Sequence, residues 1–262
     1  MPKRLITLTT DFGTTDHFAG TMKGVILSIL PAAQIIDITH DVQAFEIPDG
    51  AFTIAQAYPY FPKRTIHVIV VDPGVGSRRR PLLAEMADQF FVAPDNGVLS
   101  IVFAREKPKV RHITNDRYFL HPVSHTFHGR DIFAPVAAHL ASGIAPARFG
   151  KLIDDYLRLT FHRPTQTGKN AWTGSVLKVD RFGNLITNLH LDDFPNLQTR
   201  PFRLLAGRQP ITRLALTFTE SSPGELFVIV GSSGYLEVAT NQASAAKILG
   251  CGAGSRVELT TY

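Results

Sequence analysis

The run TIHVIVV, residues 65–71, constrains the fold most, because it is continuously apolar and rich in β-branched side chains. A strand of this kind is buried on both faces, which is typical of a parallel sheet covered by helices on each side. The run continues into VDPGVGSRRR, residues 71–80, where a Pro-Gly turn leads to three consecutive arginines. We therefore expect an open α/β sheet in which this run is a buried strand.

Strand and helix patterns alternate on both sides of this run. LITLTT and QIIDIT are predicted strands, and LLAEMA and QFFVA are a predicted strand pair. Asp16 is predicted to cap a helix that runs to about Leu30, Pro48 stands in the first turn of a second helix, VLSIVFARE forms a third, and Asp131 caps IFAPVAAHLAS. This alternation predicts an N-terminal α/β sheet domain, residues 1–150, with helices on both faces.

The pattern changes after this domain. Residues 151–171 combine prolines, glycines and polar residues with weak periodicity, so we interpret them as a linker. From residue 172 to 262, seven short strand patterns follow one another, with one short helix predicted near ASAAKILG. Strands at this spacing predict a C-terminal β-barrel-like domain.

Composition limits the classes of function. The 262 residues carry a net charge of +5, but the basic residues are scattered except at Arg78–Arg80, so we expect no nucleic-acid partner. The apolar runs are too short to cross a bilayer and the N-terminal stretch lacks a secretory core, so we expect a soluble cytoplasmic protein without a membrane partner. The single cysteine, Cys251, is interpreted as a packing residue. His121, His125 and His128 are offset by four and then three residues, but they lie in a predicted loop, so we expect no metal site.

Three predicted strands of the first domain end in polar loops. Because ligands bind beyond the carboxyl ends of strands in such sheets, TTDFGTTD, THD and DPGVGSRRR should place their polar side chains near one edge. Asp11 precedes Gly13, ahead of the helix, and its carboxylate could accept hydrogen bonds from the two hydroxyls of a ribose. VDPGVGSRRR does not fit a phosphate loop, because it lacks the Lys-Ser/Thr pair and no helix follows it. A tight turn with an Asp-Arg ion pair is the alternative.

The stretch SHTFHGRDIFAP adds a histidine at the mouth of a predicted helix. His128 lies there, and Gly129 leaves space where a side chain would otherwise stand. A histidine, an arginine and an aspartate from two loops could hold one small polar species, most simply water or hydroxide. In the second domain, DRFGNLITN and GSSGYLEVATN are polar turns that are either plain turn chemistry or part of a ligand site.

Seven motifs in order resemble those of the S-adenosylmethionine hydroxide adenosyltransferases, which are relatives of the fluorinating and chlorinating enzymes that use the same substrate. These motifs are TTDFGTTD, DITHDV, VDPGVGSRRR, APDNG, TFHGRDIFAPVAA, DRFGNLITN and GSSGYLEVATN. The resemblance implies an N-terminal α/β domain, a C-terminal β-barrel-like domain and a homotrimer. It also implies sites between the N-terminal domain of one subunit and the C-terminal domain of the next.

The resemblance further implies a reaction and the residues that perform it. Asp72, Arg79 and His128 match the set that holds the nucleophile in the hydroxide-using members, where the halogenases typically have an aromatic residue at the aspartate position. The implied reaction is attack by water or hydroxide on the ribose C5′ of S-adenosylmethionine, giving adenosine and L-methionine. No metal or other cofactor is implied. A halogenase and a non-catalytic S-adenosylmethionine-binding trimer are the alternatives.

The other site residues implied by the resemblance bind parts of the substrate. Asp11 resembles the acid on the ribose hydroxyls, and Asp180 and Ser232 match the positions that meet the methionine ammonium and carboxylate. The matching residues on the adenine side and along the pocket are Asn184, Phe182 and Phe45. The chain departs from the fluorinating enzymes at Ser233, Thr240 and Val75, which leaves the methionine end less defined.

Overall fold

The predicted buried strand is β3, Ile66–Val70, which lies near the middle of the first of two sheets. The computed structural model describes residues 5–161 and 163–262, and the chain divides into two units, Met1–Thr160 and Phe161–Tyr262. All five residues of β3 are buried. Their side chains alternate: Ile66, Val68 and Val70 pack in one core cluster, whereas Ile69 packs in another. Burial on both faces explains the uninterrupted apolar run.

Among the described residues, the first sheet has seven strands in the order β2-β1-β3-β5-β4-β6-β7. The first four of these are parallel neighbours, and β4, β6 and β7 are paired antiparallel. LLAEMA and QFFVA form the predicted strand pair, β4 with β5. The strands besides β3 are β1 Leu5–Thr10, β2 Gln34–Thr39, β4 Pro81–Met86, β5 Gln89–Pro94, β6 Lys109–His112 and β7 Leu152–Ile153.

Helices cover both faces of this sheet, as the alternation predicts. On one face, Met22 and Ile26 of the first helix and Leu140 of the fourth pack in the cluster that includes Ile66. On the other face, Ile54 and Phe103 belong to the second and third helices and pack in the cluster that includes Ile69. The helices are α1 Phe18–Ile29, α2 Ile47–Ala57, α3 Ser100–Arg105 and α4 Ala134–Ser142.

Two predicted helix caps are wrong. The residue at the N-cap of α1 is His17, while Asp16 is exposed in the preceding loop. Asp131 does not cap a helix either, because it lies inside a π-helical turn, Gly129–Phe133, that runs directly into α4. Its side chain is fully buried and accepts hydrogen bonds from Arg130 and from the backbone N–H of Ser124. Hydrogen bonds from Arg130 and Ser124 therefore engage a carboxylate whose position in the sequence favours a cap.

The second unit is a single curled sheet of short strands in the order β12-β11-β16-β9-β10-β15-β14-β13, with β8 paired to β9. Side chains from both ends of this order, such as Ile211 and Val228, pack in one core cluster, which agrees with the barrel-like prediction. The elements are β8 Thr165–Gly168, β9 Ala171–Val179, β10 Leu185–His190, β11 Phe202–Ala206, β12 Gln209–Ile211, β13 Leu214–Ala215, β14 Leu226–Val230, β15 Tyr235–Thr240, α5 Ala245–Leu249 and β16 Arg256–Thr261.

The segment that we interpreted as a linker, residues 151–171, contributes to both sheets. Its first part forms β7 against β6, and its later part forms β8 against β9. Arg80 holds the stretch between them, because it donates to Asp95 and to the side chain and carbonyl of Asp155. Arg80 is therefore tied into the first unit, whereas its neighbour Arg78 is exposed. Among the described residues, no helix combines the length and apolarity needed to cross a bilayer.

His67 in β3 is a buried polar residue inside the first core. Its Nε2 lies 2.8 Å from Oε1 of Gln89 and its Nδ1 lies 2.7 Å from the hydroxyl of Thr7. The amide oxygen can only accept, so Nε2 carries the proton and the ring is neutral, stacked on Phe91. Burial lowers the pKa of His67 to about 4.

We expect His67 to make folding pH-dependent. Its folded pKa lies below that of an exposed histidine, so the unfolded chain takes up the proton first. The contribution is complete above pH of about 6.5 and is lost as pH falls from there toward about 4, amounting to about 3 kcal/mol. Denaturant titrations at pH 7.5, 6, 5 and 4 should show this loss in the wild-type protein. His67→Gln should remove it, whereas His17→Gln, at an exposed histidine, should retain it; an equal loss in both variants would contradict the prediction.

Candidate active site

Asp72 and Arg79 form a buried ion pair in the turn that follows β3. Arg79 donates from Nε to Oδ1 of Asp72 at 3.0 Å and from Nη2 to Oδ2 at 2.5 Å. The two side chains are only 4% and 8% exposed. This two-point contact fixes both the distance and the plane of the guanidinium group, which also lies over the ring of Phe133.

His128 completes the group through Arg79. Nη2 of Arg79 lies 2.7 Å from Nδ1 of His128. A guanidinium group can only donate, so Nδ1 accepts, the imidazole is neutral and its proton resides on Nε2. Burial and the positive charge of Arg79 lower the pKa of His128, and these effects outweigh the opposing charges of Asp72 and Asp131. The structure thus brings Asp72, Arg79 and His128 together as the sequence predicts.

A close approach between two loops makes this contact possible. Gly76, in the turn after β3, has a φ of +77°, and a Cβ atom there would lie 2.2 Å from the carbonyl oxygen of His125. Only glycine lets the turn pass this close to the loop that carries His128. On the other side, the buried Asp131 accepts from the N–H of Ser124, which anchors the same loop to the start of α4.

A cavity of about 270 Å³ opens beside this cluster. Its walls include Asp11, Phe45, Asp72, His128 and Gly129 among the predicted site residues. The other lining residues, mostly apolar, are Phe12, Phe18, Ala44, Val70, Val75, Thr126 and Phe127. The pocket therefore combines a few fixed polar groups with an aromatic wall, as small-molecule sites commonly do.

Asp11 and Phe45 are linked across the mouth of this cavity. Oδ2 of Asp11 accepts from the backbone N–H of Phe45 at 2.9 Å. Phe45 has a φ of +69°, which is unusual for a residue with a side chain, and its ring is 72% exposed. Burial raises the pKa of Asp11, and the negative charge of Asp72 adds to the rise. The hydrogen bond to Asp11 thus holds the backbone of Phe45 in a strained conformation, and both residues line the same cavity.

The predicted binding residues of the second unit lie in two turns. Oδ1 of Asp180 accepts from the backbone N–H groups of Phe182 and Asn184, and Oδ2 accepts from the side-chain amide of Asn184. The ring of Phe182 is 77% exposed at the tip of this turn. Ser232 is exposed in the second turn, between β14 and β15. Asp180 and Asn184 thus form hydrogen bonds within their own turn, which the sequence analysis gave as the alternative to a ligand site.

The predicted site residues did not include the phenylalanines around the cluster. Phe127 and Phe133 flank the loop and the π-helical turn that carry His128. The ring of Phe127 packs edge to face against Phe12 and Phe18, which are tilted against each other. Their signal is present in TDFGTTDHF and TFHGRDIF, where aromatic residues alternate with the polar ones. Within residues 5–161 and 163–262, no three histidine, cysteine, aspartate or glutamate side chains are grouped as a metal ion would require.

Comparison with known proteins gives two family-model matches. Residues 6–150 match the N-terminal domain of the SAM hydroxide adenosyltransferases, and residues 174–258 match their C-terminal domain. Together the two matches span most of the chain, and each corresponds to one unit of the structure.

Individual relatives agree with these matches. The chain is 40% identical to a curated (R)-S-adenosyl-L-methionine hydrolase of Salinispora tropica, over 99% of this chain and 98% of that protein. It is similar to a solved structure of a conserved protein from Thermotoga maritima, with a TM-score of 0.91, 38% identity and coverage of 97% and 99% of the two chains. A fluorinase of an Actinoplanes species is 26% identical over 98% of this chain and 97% of its own.

We expect the pKa of His128 to depend on Arg79. NMR titration should place the His128 pKa below that of an exposed histidine, with the ring proton on Nε2. Arg79→Ala removes a positive charge beside the ring and leaves Asp72, so the His128 pKa should rise. His139 is the control, because burial alone lowers its pKa and Arg79 plays no part there. An unchanged His128 pKa in Arg79→Ala would refute the electrostatic coupling.

Proposed function

The chain belongs to the SAM hydroxide adenosyltransferase family, and we propose that it hydrolyses S-adenosyl-L-methionine to adenosine and L-methionine. The observation that carries this proposal is the buried contact of Asp72, Arg79 and His128 beside an aromatic-lined cavity. These are small, fixed polar groups suited to one water molecule, and they come from the motifs shared with the hydroxide-using members.

In the proposed reaction, a water oxygen attacks the ribose C5′ while the C5′–S bond breaks. The bonding electron pair goes to sulfur, which converts the sulfonium into the neutral thioether of methionine, and the water gives up one proton. The leaving group is already activated by its positive charge, so the protein has to position and desolvate the nucleophile in line with the sulfur. A cavity wall of phenylalanine and valine provides such an environment.

The contacts of His128 favour one route for the proton transfer. Nδ1 of His128 is occupied by Arg79, so the ring offers an N–H at Nε2 and does not accept from water there. In our proposal Asp72, which lines the cavity, takes the proton, and Arg79 stabilises the hydroxide as it develops. Nη1 of Arg79 supports this role, because it is buried and donates to no group among the described residues. A buried donor of this kind is normally satisfied by an ordered water or a ligand.

The remaining proposed roles concern substrate binding. Asp11 accepts hydrogen bonds from the ribose hydroxyls. Phe45 and Phe182, which are both largely exposed, contact the adenosine part with their rings. In the second unit, Asp180 meets the ammonium group of the methionine part, Ser232 meets its carboxylate and Asn184 contacts the adenine side. Gly129 lines the cavity next to His128, and a Cβ atom there would lie 3.1 Å from Phe127 and 3.2 Å from Met22.

We further propose a homotrimer with its sites at subunit interfaces. The support is the family resemblance together with the exposure of Phe45 and Phe182, two aromatic rings that are more than two-thirds exposed in one chain. Large exposed aromatic side chains commonly mark surfaces that bind a partner or a ligand. Light scattering coupled to gel filtration should give three times the 28.8 kDa mass of one chain; a monomer would remove this part of the proposal.

Product analysis tests the reaction itself. Purified protein incubated with S-adenosylmethionine should yield adenosine and L-methionine in equal amounts, with or without added chloride. The oxygen at C5′ of adenosine should derive from ¹⁸O-labelled water. Formation of 5′-chloro-5′-deoxyadenosine would indicate a halogenase, and unchanged substrate would indicate a protein that only binds it.

Variants should separate the nucleophile groups from the binding groups. Asp72→Ala and His128→Ala should lower kcat, Asp72→Ala by about 10²–10⁴-fold, with little change in KM, because they act on the nucleophile. Asp11→Ala should instead raise KM about tenfold or more, since its carboxylate would bind the ribose. Asp16→Ala is the matched control, an exposed aspartate in the same loop. Loss of substrate binding in both Asp72→Ala and His128→Ala would contradict the roles assigned to them.

A further inference from the structure

Glu237 is a mostly buried acid on the outer face of the second sheet. It lies in β15 in register with Ile186 of β10 and Ile229 of β14, and its side chain points away from the core formed by Leu236 and Val238. Glu237 is nevertheless only 9% exposed. The proposed roles of the chain make no use of this residue.

No hydrogen bond or ion pair joins the Glu237 carboxyl to any residue that the structure describes, and the charge that acts on it is that of another acid, Asp180. The residue is mostly buried, but its carboxyl oxygens are not fully enclosed, so they still reach solvent and are open to a ligand, water or ion. Burial, and to a lesser extent the charge of Asp180, raise the pKa of Glu237 to about 7.

The Glu237 carboxyl lies between the two turns that carry the predicted methionine-binding residues. A Cβ atom on Gly231 would fall 1.8 Å from Oε1 of Glu237, so the glycine leaves the room that this carboxyl occupies. Gly231 directly precedes Ser232, and Asp180 lies on the other side in the turn between β9 and β10. The carboxyl is therefore next to the backbone of one turn and within electrostatic reach of the other.

We propose that Glu237 is a second acid of the subsite for the α-ammonium group, beside Asp180, and that it gives up its proton when that cation binds. This inference rests on the proposed function. Both oxygens of Asp180 already accept hydrogen bonds within their own turn, which leaves that acid little capacity for an ammonium group with three donors. An unpartnered carboxyl nearby supplies the missing acceptor.

The proton and charge balance is simple. Before binding, Glu237 is protonated and the substrate carries a cationic ammonium group. On binding, Glu237 releases one proton to the buffer, and the resulting carboxylate contacts the ammonium group. Within the described part of the chain, three titratable groups face Glu237 from neighbouring elements. One is Asp180. The others are Lys178 of β9, which is in register with Ile186 of β10, and His190, whose ring lies against Gly234. Asp180 disfavours the Glu237 carboxylate in the free protein, and an arriving cation reverses that effect.

The test compares KM for S-adenosylmethionine between the wild type and Glu237→Gln at pH 6 and pH 7.5. The ratio of variant to wild-type KM should rise about eightfold from pH 6 to pH 7.5. At pH 7.5 most of the wild-type Glu237 is already a carboxylate, so binding no longer requires the loss of a proton and the wild-type KM falls. The kcat ratio should stay within about twofold, since Glu237 does not touch the reacting atoms. Titration of the substrate amine affects both proteins equally and cancels in the ratio.

Two controls separate this role from a structural one. Glu258→Gln removes an acid of β16 that is paired with Arg256, and its KM ratio should remain flat with pH. A substrate that lacks the α-amino group should bind the wild type and Glu237→Gln alike at both pH values. This comparison within the wild type stands even where Glu237→Gln fails to fold, because the KM advantage of the normal substrate should itself grow as pH rises.

A flat KM ratio with normal adenosine formation would overturn the inference while leaving the proposed function intact. Equal pH dependence for the substrates with and without the amino group would do the same. A wild-type protein that forms no adenosine would overturn the proposed function, and this inference with it.

Discussion

The two-point contact between Asp72 and Arg79 is the interaction on which the site depends. Two opposite charges that are almost wholly removed from water are retained only where the geometry satisfies both, because the loss of hydration is costly. Here the guanidinium satisfies both carboxylate oxygens and still reaches Nδ1 of His128. The ion pair thereby holds Arg79 where it donates to the histidine, and the proposed division of roles within the cluster rests on this contact.

Glycines allow close approaches at two places in the structure. At Gly76 the carbonyl oxygen of His125 lies where a side chain would stand, so the turn that carries Asp72 and Arg79 can approach the loop of His128. At Gly231, in the second unit, the carboxyl of Glu237 occupies the corresponding space. The buried strand β3 supplies the rigid base from which the first of these turns leaves.

The acids of the proposed site suit the charge of the substrate. The chain as a whole carries a net charge of +5, yet Asp11 and Asp72 line the cavity of the first unit, and Asp180 and Glu237 lie together in the second. S-adenosylmethionine has a cationic sulfonium and an ammonium group, so local acidity favours its binding. Arg79 neutralises one of these acids, and this keeps a developing hydroxide from facing an unbalanced negative charge.

The sequence by itself determined the class of fold and predicted the three residues of the cluster. The apolar run of β3 and the strand–helix alternation around it record burial on both faces, which is a local pattern, and the ordered motifs identify Asp72, Arg79 and His128. Only the folded structure decided which contacts each polar side chain makes. Asp16 and Asp131 look alike as helix caps in sequence, but one is exposed and the other is buried, with hydrogen bonds from Arg130 and Ser124. Arg80 stands in a run of three arginines, and its partner Asp155 comes from 75 positions away. The acceptor role of Nδ1 in His128 and the unpartnered carboxyl of Glu237 likewise arise from contacts between segments, because burial and hydrogen bonding across a fold are not written in any one stretch of chain.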